Sequence, residues 1–343
     1  MHTEFETGVA TATRSWPPRR VRVHAPGRLH LGFLDPAGSL GRRFGSLGLV
    51  VDGPETVVDV ARAPADSFEC LPGGEAALER ARSHVETLRR ATGCRSPLAL
   101  RLVATLPAHA GLGSGTQLAL AVGRAFCAAF DIPVTTPQLA FALGRGQRSG
   151  VGVAGFDLGG LLVDGGPRED GSPAALLARI ALPEAWRVLL VLDPRCSGLS
   201  GPAEKTALAC LAPLPRAAAA EICHETLMRV LPGAAGAEFV PFAGGLTRIQ
   251  QLLGDHFAPA QEGRAFASPA VGRLLQWVGR STQAGVGQSS WGPTGFAFLP
   301  SEAQAHAVLA AARAAGVVDP ALDLQVIRAR NHGAIVSDQR AGG

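Results

Sequence analysis

The chain has no tyrosine and a single lysine, Lys205. Aromatic residues make up only 5% of it, too few for the stacking platforms that hold single-stranded nucleic acid. Its positive charge is therefore almost entirely arginine. The arginines are scattered, with residues 17–22 (PPRRVR) the densest cluster, so no basic run marks a nucleic-acid partner. A role that needs a lysine has Lys205 as its candidate. No two of the six cysteines (Cys70, Cys94, Cys127, Cys196, Cys210 and Cys223) form a C-x-x-C pair. That argues against a zinc site or a disulfide framework and for reduced thiols in a cytoplasmic protein. No run is long and apolar enough to cross a membrane. Residues 1–20 lack the apolar core of a signal peptide and read as a loose leader.

What is present is a core-forming composition. Hydrophobic residues reach 47% against 17% charged, which excludes a disordered chain. With 343 residues, two domains or one large unit are expected. The net charge of +4 also suits acidic small substrates. Strands and helices follow one another without strict alternation, which implies an α+β fold in two halves. The halves are expected at residues 21–185 and 186–335, with a tail at 336–343. Residues 21–26 alternate and end as a strand at Pro26-Gly27. Residues 46–52 and 56–60 read as two strands around the turn Asp52-Gly53-Pro54. Helical periodicity covers residues 75–91 and 114–130, and Thr136-Pro137 starts a helix expected to reach Arg148. Further strands are expected at 98–107, 187–194, 295–300 and 322–330. Further helices are expected at 245–257, 269–281 and 302–316.

Three stretches carry candidate chemistry. Residues 109–126, HAGLGSGTQLALAVGRAF, put three glycines just before a helix. A helix start leaves N–H groups unpaired and partly positive, and glycines leave room for an anion. Gly111, Gly113, Ser114, Gly115 and Thr116 are thus candidates to cradle phosphate or pyrophosphate, with the Ser114 and Thr116 hydroxyls near a metal. The pattern is not G-x-x-x-x-G-K-[ST], and no lysine is near. In residues 25–35, APGRLHLGFLD, Arg28 suits a carboxylate or phosphate. His30 is either a proton carrier or a satisfied core histidine. Residues 285–298, GVGQSSWGPTGFAF, read as a glycine-rich surface loop before a strand, with Gln288, Ser289, Ser290 and Trp291 available to a substrate.

These stretches, in this order, resemble the GHMP kinase superfamily. GRLHLGFLD, GLGSGTQLALAVGRA, GRGQRSGVGVAGFDLGG, RCSGLSG and GVGQSSWGPT resemble, more closely, the β-ribofuranosylaminobenzene 5′-phosphate synthase family, over residues 22–332. The resemblance implies a cytoplasmic, Mg2+-dependent enzyme of tetrahydromethanopterin biosynthesis, expected as a homodimer. Its reaction joins phosphoribosyl pyrophosphate to 4-aminobenzoate, or to 4-hydroxybenzoate in archaeal relatives, with loss of CO2 and pyrophosphate. It implies that the glycine stretch holds the pyrophosphate. It also implies that Asp157, with Ser114, binds Mg2+ or faces the developing cation at the sugar. Arg28 is the expected anion ligand, with Arg148 and Arg195 as secondary ones. His30 and Lys205 join Asp157 as catalytic candidates, and Gln288, Ser289, Ser290 and Trp291 are expected to shape the aromatic-acid pocket. Gly115 stands where the kinases carry a second serine, and the Trp291 loop replaces an all-small one. Both changes count against the alternative, an ATP-dependent small-molecule kinase.

Overall fold

The computed structural model describes residues 19–168, 174–198, 206–207 and 210–340. Two sheets organise them. The larger has seven strands in the order β11-β1-β2-β4-β3, with β5 on β2 and β6 on β5. Strand β1 (Arg19–Asp35) and strand β2 (Phe44–Arg62) form its spine. The rest are β3 (Ser67–Cys70), β4 (Leu98–Ala104), β5 (Leu161–Asp164), β6 (Leu176–Ile180) and β11 (Ile335–Arg340). All these pairs are antiparallel except β3 with β4. The smaller sheet is antiparallel throughout, in the order β10-β7-β9-β8. Its strands are β7 (Arg187–Leu192), β8 (Gly285–Gln288), β9 (Gly295–Leu299) and β10 (Asp323–Ile327).

Helices α1 (Glu75–Thr92), α2 (Ser114–Ala129) and α3 (Thr136–Ala142) pack with the first half of β1 and with β4, around Val21, Val23, Ala25, Leu100 and Leu102. The short α4 (Val151–Leu158) precedes β5. Helices α5 (Arg216–Glu225), α6 (Leu231–Ala235) and α7 (Phe239–Phe257) contribute to the core between the sheets, and a π-helical turn (Thr226–Val230) joins the first two. Helices α8 (Pro269–Ser281) and α9 (Glu302–Ala314) cover the outer face of the smaller sheet. Strand β7 shows the two-sided burial directly. Val188, Leu190 and Leu192 face the central core, while Leu189 and Val191 face α8 and α9, as period-two alternation requires.

Several elements depart from the sequence reading. Pro26-Gly27 does not end the first strand; β1 runs on through a register shift between Pro26 and Arg28. Across this irregularity β1 contributes one residue, Gly27, against the four of β2, residues 51–54, and the side that the following β1 residues face is reversed. Val21, Val23 and Ala25 therefore belong to the cluster beneath α1 and α2, whereas Leu29 and Leu31 belong to the central core. Arg28 and His30 are thereby turned to the side where the glycine loop lies. The expected turn at Asp52-Gly53-Pro54 is likewise absorbed into one long strand, β2. The helix begun at Thr136 stops at Ala142 rather than Arg148, because Gly144 and Gly146 take left-handed φ angles of 65° and 81°. The expected leader gives way to β1 at Arg19, and the expected tail holds β11, which pairs with β1 from Arg19 to His24. The expected 285–294 loop contains strand β8.

Candidate active site

Two cavities meet between the sheets. The first, about 270 Å³, lies against the glycine loop. Helix α2 opens without a side-chain cap or an acidic residue in its first turn, and its cap residue Gly113 is left-handed (φ 79°). Its first N–H groups therefore point outward with the positive end of the helix dipole. Arg28, Arg145 and Arg148 line the cavity with His30, His109, Gly111 and Thr116, and no carboxylate does so among the described residues. Such a surface selects anions with several oxygens.

The second cavity, about 370 Å³, is larger and more apolar. Phe33, Leu253, Phe257, Phe266, Leu275, Val286 and Trp291 line it, with Gln250, Gln261 and Gln288 among the polar groups. The Trp291 and Phe257 rings stand 4.8 Å apart. Its apolar and aromatic walls suit an aromatic ring. His30, Phe33, Ser290 and Trp291 line both cavities and so form their common wall. In that wall the His30 Nε2 and the Trp291 Nε1 are buried and have no hydrogen-bond partner among the described residues. Buried polar atoms of this kind require a partner. Burial first, then the charges of Arg28 and Arg148, hold the His30 pKa well below 6.5. The imidazole is therefore neutral near pH 7.

The wall is fixed by one hydroxyl. Ser289, fully buried, accepts from the His30 N–H at 2.9 Å and donates to the Gly111 carbonyl at 2.7 Å. It thus joins β1, the glycine loop and the β8–β9 turn. Ser290, left-handed at φ 55°, donates its N–H to the His30 carbonyl at 3.1 Å. The turn sits so close to the loop that a Cβ on Gly111 would lie 2.4 Å from the Ser289 carbonyl oxygen. One on Gly292 would lie 2.4 Å from the Ala110 carbonyl. These two glycines allow the two halves to touch.

The structure therefore sorts the expected residues. Arg28, His30, Gly111, Thr116, Arg148, Gln288, Ser290 and Trp291 line the cavities. Gly113, Ser114 and Gly115 stand half-buried at the helix mouth. Ser289 is brought in as a clamp, its hydroxyl already used. The Gln288 amide is also used: it donates to Gln261 and to the Ser290 carbonyl and accepts from the Ala267 N–H. Both residues hold the wall rather than offering free groups to a substrate.

Asp157 is not at the site. It is exposed, lines neither cavity and accepts a 2.6 Å hydrogen bond from Thr136. Gly152 of the same helix faces Thr116 and Arg28; five residues on, Asp157 is turned about 140° around the axis. Arg195 is also elsewhere, paired with Asp193 at 2.8 Å and Asp319 at 3.2 Å. Lys205 lies outside the described residues. With Asp157 removed, the expected Mg2+ pair does not form, and no cluster of three or more His, Cys, Asp or Glu exists among the described residues. The guanidiniums and hydroxyls that line the basic cavity suit phosphate oxygens. Sequence reasoning missed Phe33, His109 and Arg145. For Arg145 the signal was present, an arginine three residues before Arg148 in a glycine-flanked loop.

Comparisons with known proteins define the fold and the family. The model of the GHMP kinases N terminal domain matches residues 79–160, and that of the GHMP kinases C terminal matches residues 240–318. The homoserine kinase of Cytophaga hutchinsonii superposes with a TM-score of 0.66 at 14% identity, over 94% of this chain and 99% of that one. The fold is thus that of the GHMP kinases, an α+β class with two halves. The beta-ribofuranosylphenol 5'-phosphate synthase of Archaeoglobus fulgidus is 35% identical over 82% of this chain and 89% of its own length. That of Methanothermobacter thermautotrophicus is 31% identical over 79% and 86%. The chain belongs to the beta-ribofuranosylphenol 5'-phosphate synthase family. Among the described residues no helix is long and apolar enough to cross a membrane.

Proposed function

We propose that the protein is a cytoplasmic phosphoribosyltransferase that joins 5-phosphoribosyl 1-pyrophosphate to 4-aminobenzoate or 4-hydroxybenzoate with loss of CO2 and pyrophosphate. The product belongs to tetrahydromethanopterin biosynthesis. The observation that carries this reading is the meeting, at one wall, of a basic cavity with no carboxylate among its described lining residues and an apolar cavity walled by aromatic rings. The relatives' name supports it: a ribofuranosylphenol 5'-phosphate contains an aromatic ring and a phosphorylated ribose.

The chemistry suits the residues. The ring carbon bearing the carboxylate attacks C1 of the ribose. The C1–O bond breaks, and its electron pair leaves with the pyrophosphate. The bond from ring to carboxylate then breaks, its electrons restore aromaticity, and CO2 departs. No proton is gained or lost in this exchange, so a neutral His30 needs no acid–base role. Arg28, Arg145 and Arg148, with the N–H groups of α2, stabilise charge on the departing anion. The Trp291 indole N–H, with the His30 imidazole at the same wall, offers the benzoate carboxylate a hydrogen bond. Phe33 and Trp291, which line both cavities, place apolar rings beside the activated sugar and limit water there. Homodimerisation is part of this reading as a family expectation.

Carboxyl-labelled 4-aminobenzoate and 4-hydroxybenzoate test it. Labelled CO2 should appear only with 5-phosphoribosyl 1-pyrophosphate present. ADP formation from ATP with an alcohol acceptor, and no CO2, would support the kinase alternative.

A further inference from the structure

The loop between α3 and α4 brings Arg145 and Arg148 to the basic cavity. Gly144 and Gly146 are both left-handed within it, so the loop owes little stiffness to its own backbone. At its near end the Arg145 N–H donates to the Ala140 carbonyl at 2.7 Å. The far end, beyond Arg148, is held by a carboxylate from another strand. Asp164, the last residue of β5, is 1% exposed. Its Oδ2 accepts from the Gly150 N–H at 2.8 Å and the Val151 N–H at 3.2 Å, and the Ser149 hydroxyl stands 3.5 Å from the same oxygen. Its Oδ1 accepts from the Gly166 N–H at 2.8 Å. Gly150 and Val151 are the cap and the first residue of α4, so the carboxylate sits where a helix start is partly positive. Gln117 of α2, also 1% exposed, donates to the Gly152 carbonyl at 3.0 Å. A Cβ on Gly152 would lie 3.4 Å from Thr116 Cγ2 and 3.6 Å from Arg28 Nε. The first turn of α4 is thus held from β5 and from α2, beside two groups that line the basic cavity. Neither Asp164 nor Gln117 lines a cavity itself.

We propose that Asp164 is a positioning residue for the reaction: through the start of α4 it holds Arg148 at the basic cavity and so sets the affinity for pyrophosphate, without touching it. The inference rests on the phosphoribosyl reading of that cavity. Gln117 supports the same turn from the opposite side with one hydrogen bond. Asp164 acts through Arg148, two residues before Gly150, whereas Arg145 has its own anchor at Ala140. A binding group of this kind works only while its supporting contacts keep it in place. Without the carboxylate, the buried N–H groups of Gly150 and Val151 lose their acceptor, and the turn shifts to recover one.

The test is calorimetric titration of the full chain with inorganic pyrophosphate, in wild type, Asp164→Asn, Arg148→Gln and the double variant. Asp35→Asn is the control. Asp35 is a buried carboxylate that accepts from the Gly38 and Leu40 N–H groups at 2.9 Å and 2.7 Å, in a loop that lines neither cavity. Asp164→Asn should bind pyrophosphate roughly tenfold more weakly, and Asp35→Asn should bind it as wild type does. In the Arg148→Gln background, Asp164→Asn should cause no further loss, because the two act as one unit. Steady-state kinetics should show KM for the sugar pyrophosphate raised about tenfold and KM for the benzoate unchanged. If Asp164→Asn does not fold, Gln117→Met takes its place, with roughly threefold weaker binding expected and the same dependence on Arg148. Wild-type affinity in Asp164→Asn, or in Arg148→Gln, overturns the assignment. So does equal weakening in Asp35→Asn, which would mean general loosening, or a full further loss in the double variant. Each of these leaves the phosphoribosyl reading standing, whereas failure of wild type to bind pyrophosphate overturns both.

Discussion

At the scale of single residues, the site separates groups that contact substrate from groups that hold the wall. Ser289→Ala removes two hydrogen bonds and leaves the buried His30 N–H unpaired. Such a loss costs roughly 1–3 kcal/mol. A lower melting temperature and a lower kcat are expected, with KM for either substrate little changed; wild-type stability and turnover would mean the hydroxyl is not a clamp. Trp291→Phe keeps a ring against Phe257 but removes the buried indole N–H. Steady-state kinetics should show a raised KM for the benzoate and an unaltered KM for the sugar. Asp157→Asn should leave kcat within about threefold of wild type, since a surface position away from the chemistry contributes little; a loss of several hundredfold would restore Asp157 to the site. Asp157 misled the sequence reading because a turn-like FDLGG gives no sign of which way a short helix faces. Arg28 was legible because an arginine beside Pro-Gly has few structural uses.

At the scale of elements, the glycine stretch opens α2, as its spacing implied, and its Gly111 and Thr116 line a cavity together with Arg28, Arg145 and Arg148. Its glycines do more than make room for a ligand. A Cβ on Gly113 would stand 3.1 Å from Arg28 Cγ and Nε, on a backbone of φ 79°. Gly113→Ala should therefore displace Arg28 and strain the loop by about 1–2 kcal/mol. Weaker pyrophosphate binding, measured by calorimetry, is the expected result; unchanged binding would show that Arg28 does not hold the anion. The bulge after Pro26 and the long β2 were not legible, since proline and glycine mark breaks unless a partner strand carries the chain through. Strands β6, β8 and β11 were missed for a related reason. They are short or glycine-rich, and β11 finds its partner β1 some three hundred residues earlier.

At the scale of the whole molecule, the two sheets share one core, with Leu29, Leu47, Val188, Phe242 and Phe298 in the same cluster. The α+β class with two halves was legible from the order of elements. The return of the chain end to the first sheet was not, because long-range pairing leaves no local pattern. The buried histidines give the molecule a pH signature. His84 falls from 6.5 to about 4 on folding, and His30 also falls well below 6.5. Between the lowered value and 6.5 the unfolded chain binds more protons than the folded one, so stability drops as pH falls through that window. His84 alone accounts for a loss on the order of 3 kcal/mol by pH 4. Melting curves from pH 7 to 4.5 should show the decline, and His84→Gln should flatten it; equal slopes in the two proteins would contradict the assignment.

The central claim is that two neighbouring cavities bring a phosphoribosyl donor and a benzoate together at the His30–Trp291 wall. The most direct measurement is release of labelled CO2 from carboxyl-labelled 4-aminobenzoate, with and without 5-phosphoribosyl 1-pyrophosphate, in wild type and Arg28→Gln. The account predicts release that depends on the sugar pyrophosphate and falls at least tenfold in Arg28→Gln. Folded wild-type protein that releases no CO2 from either benzoate, or releases it equally without the sugar, would contradict it.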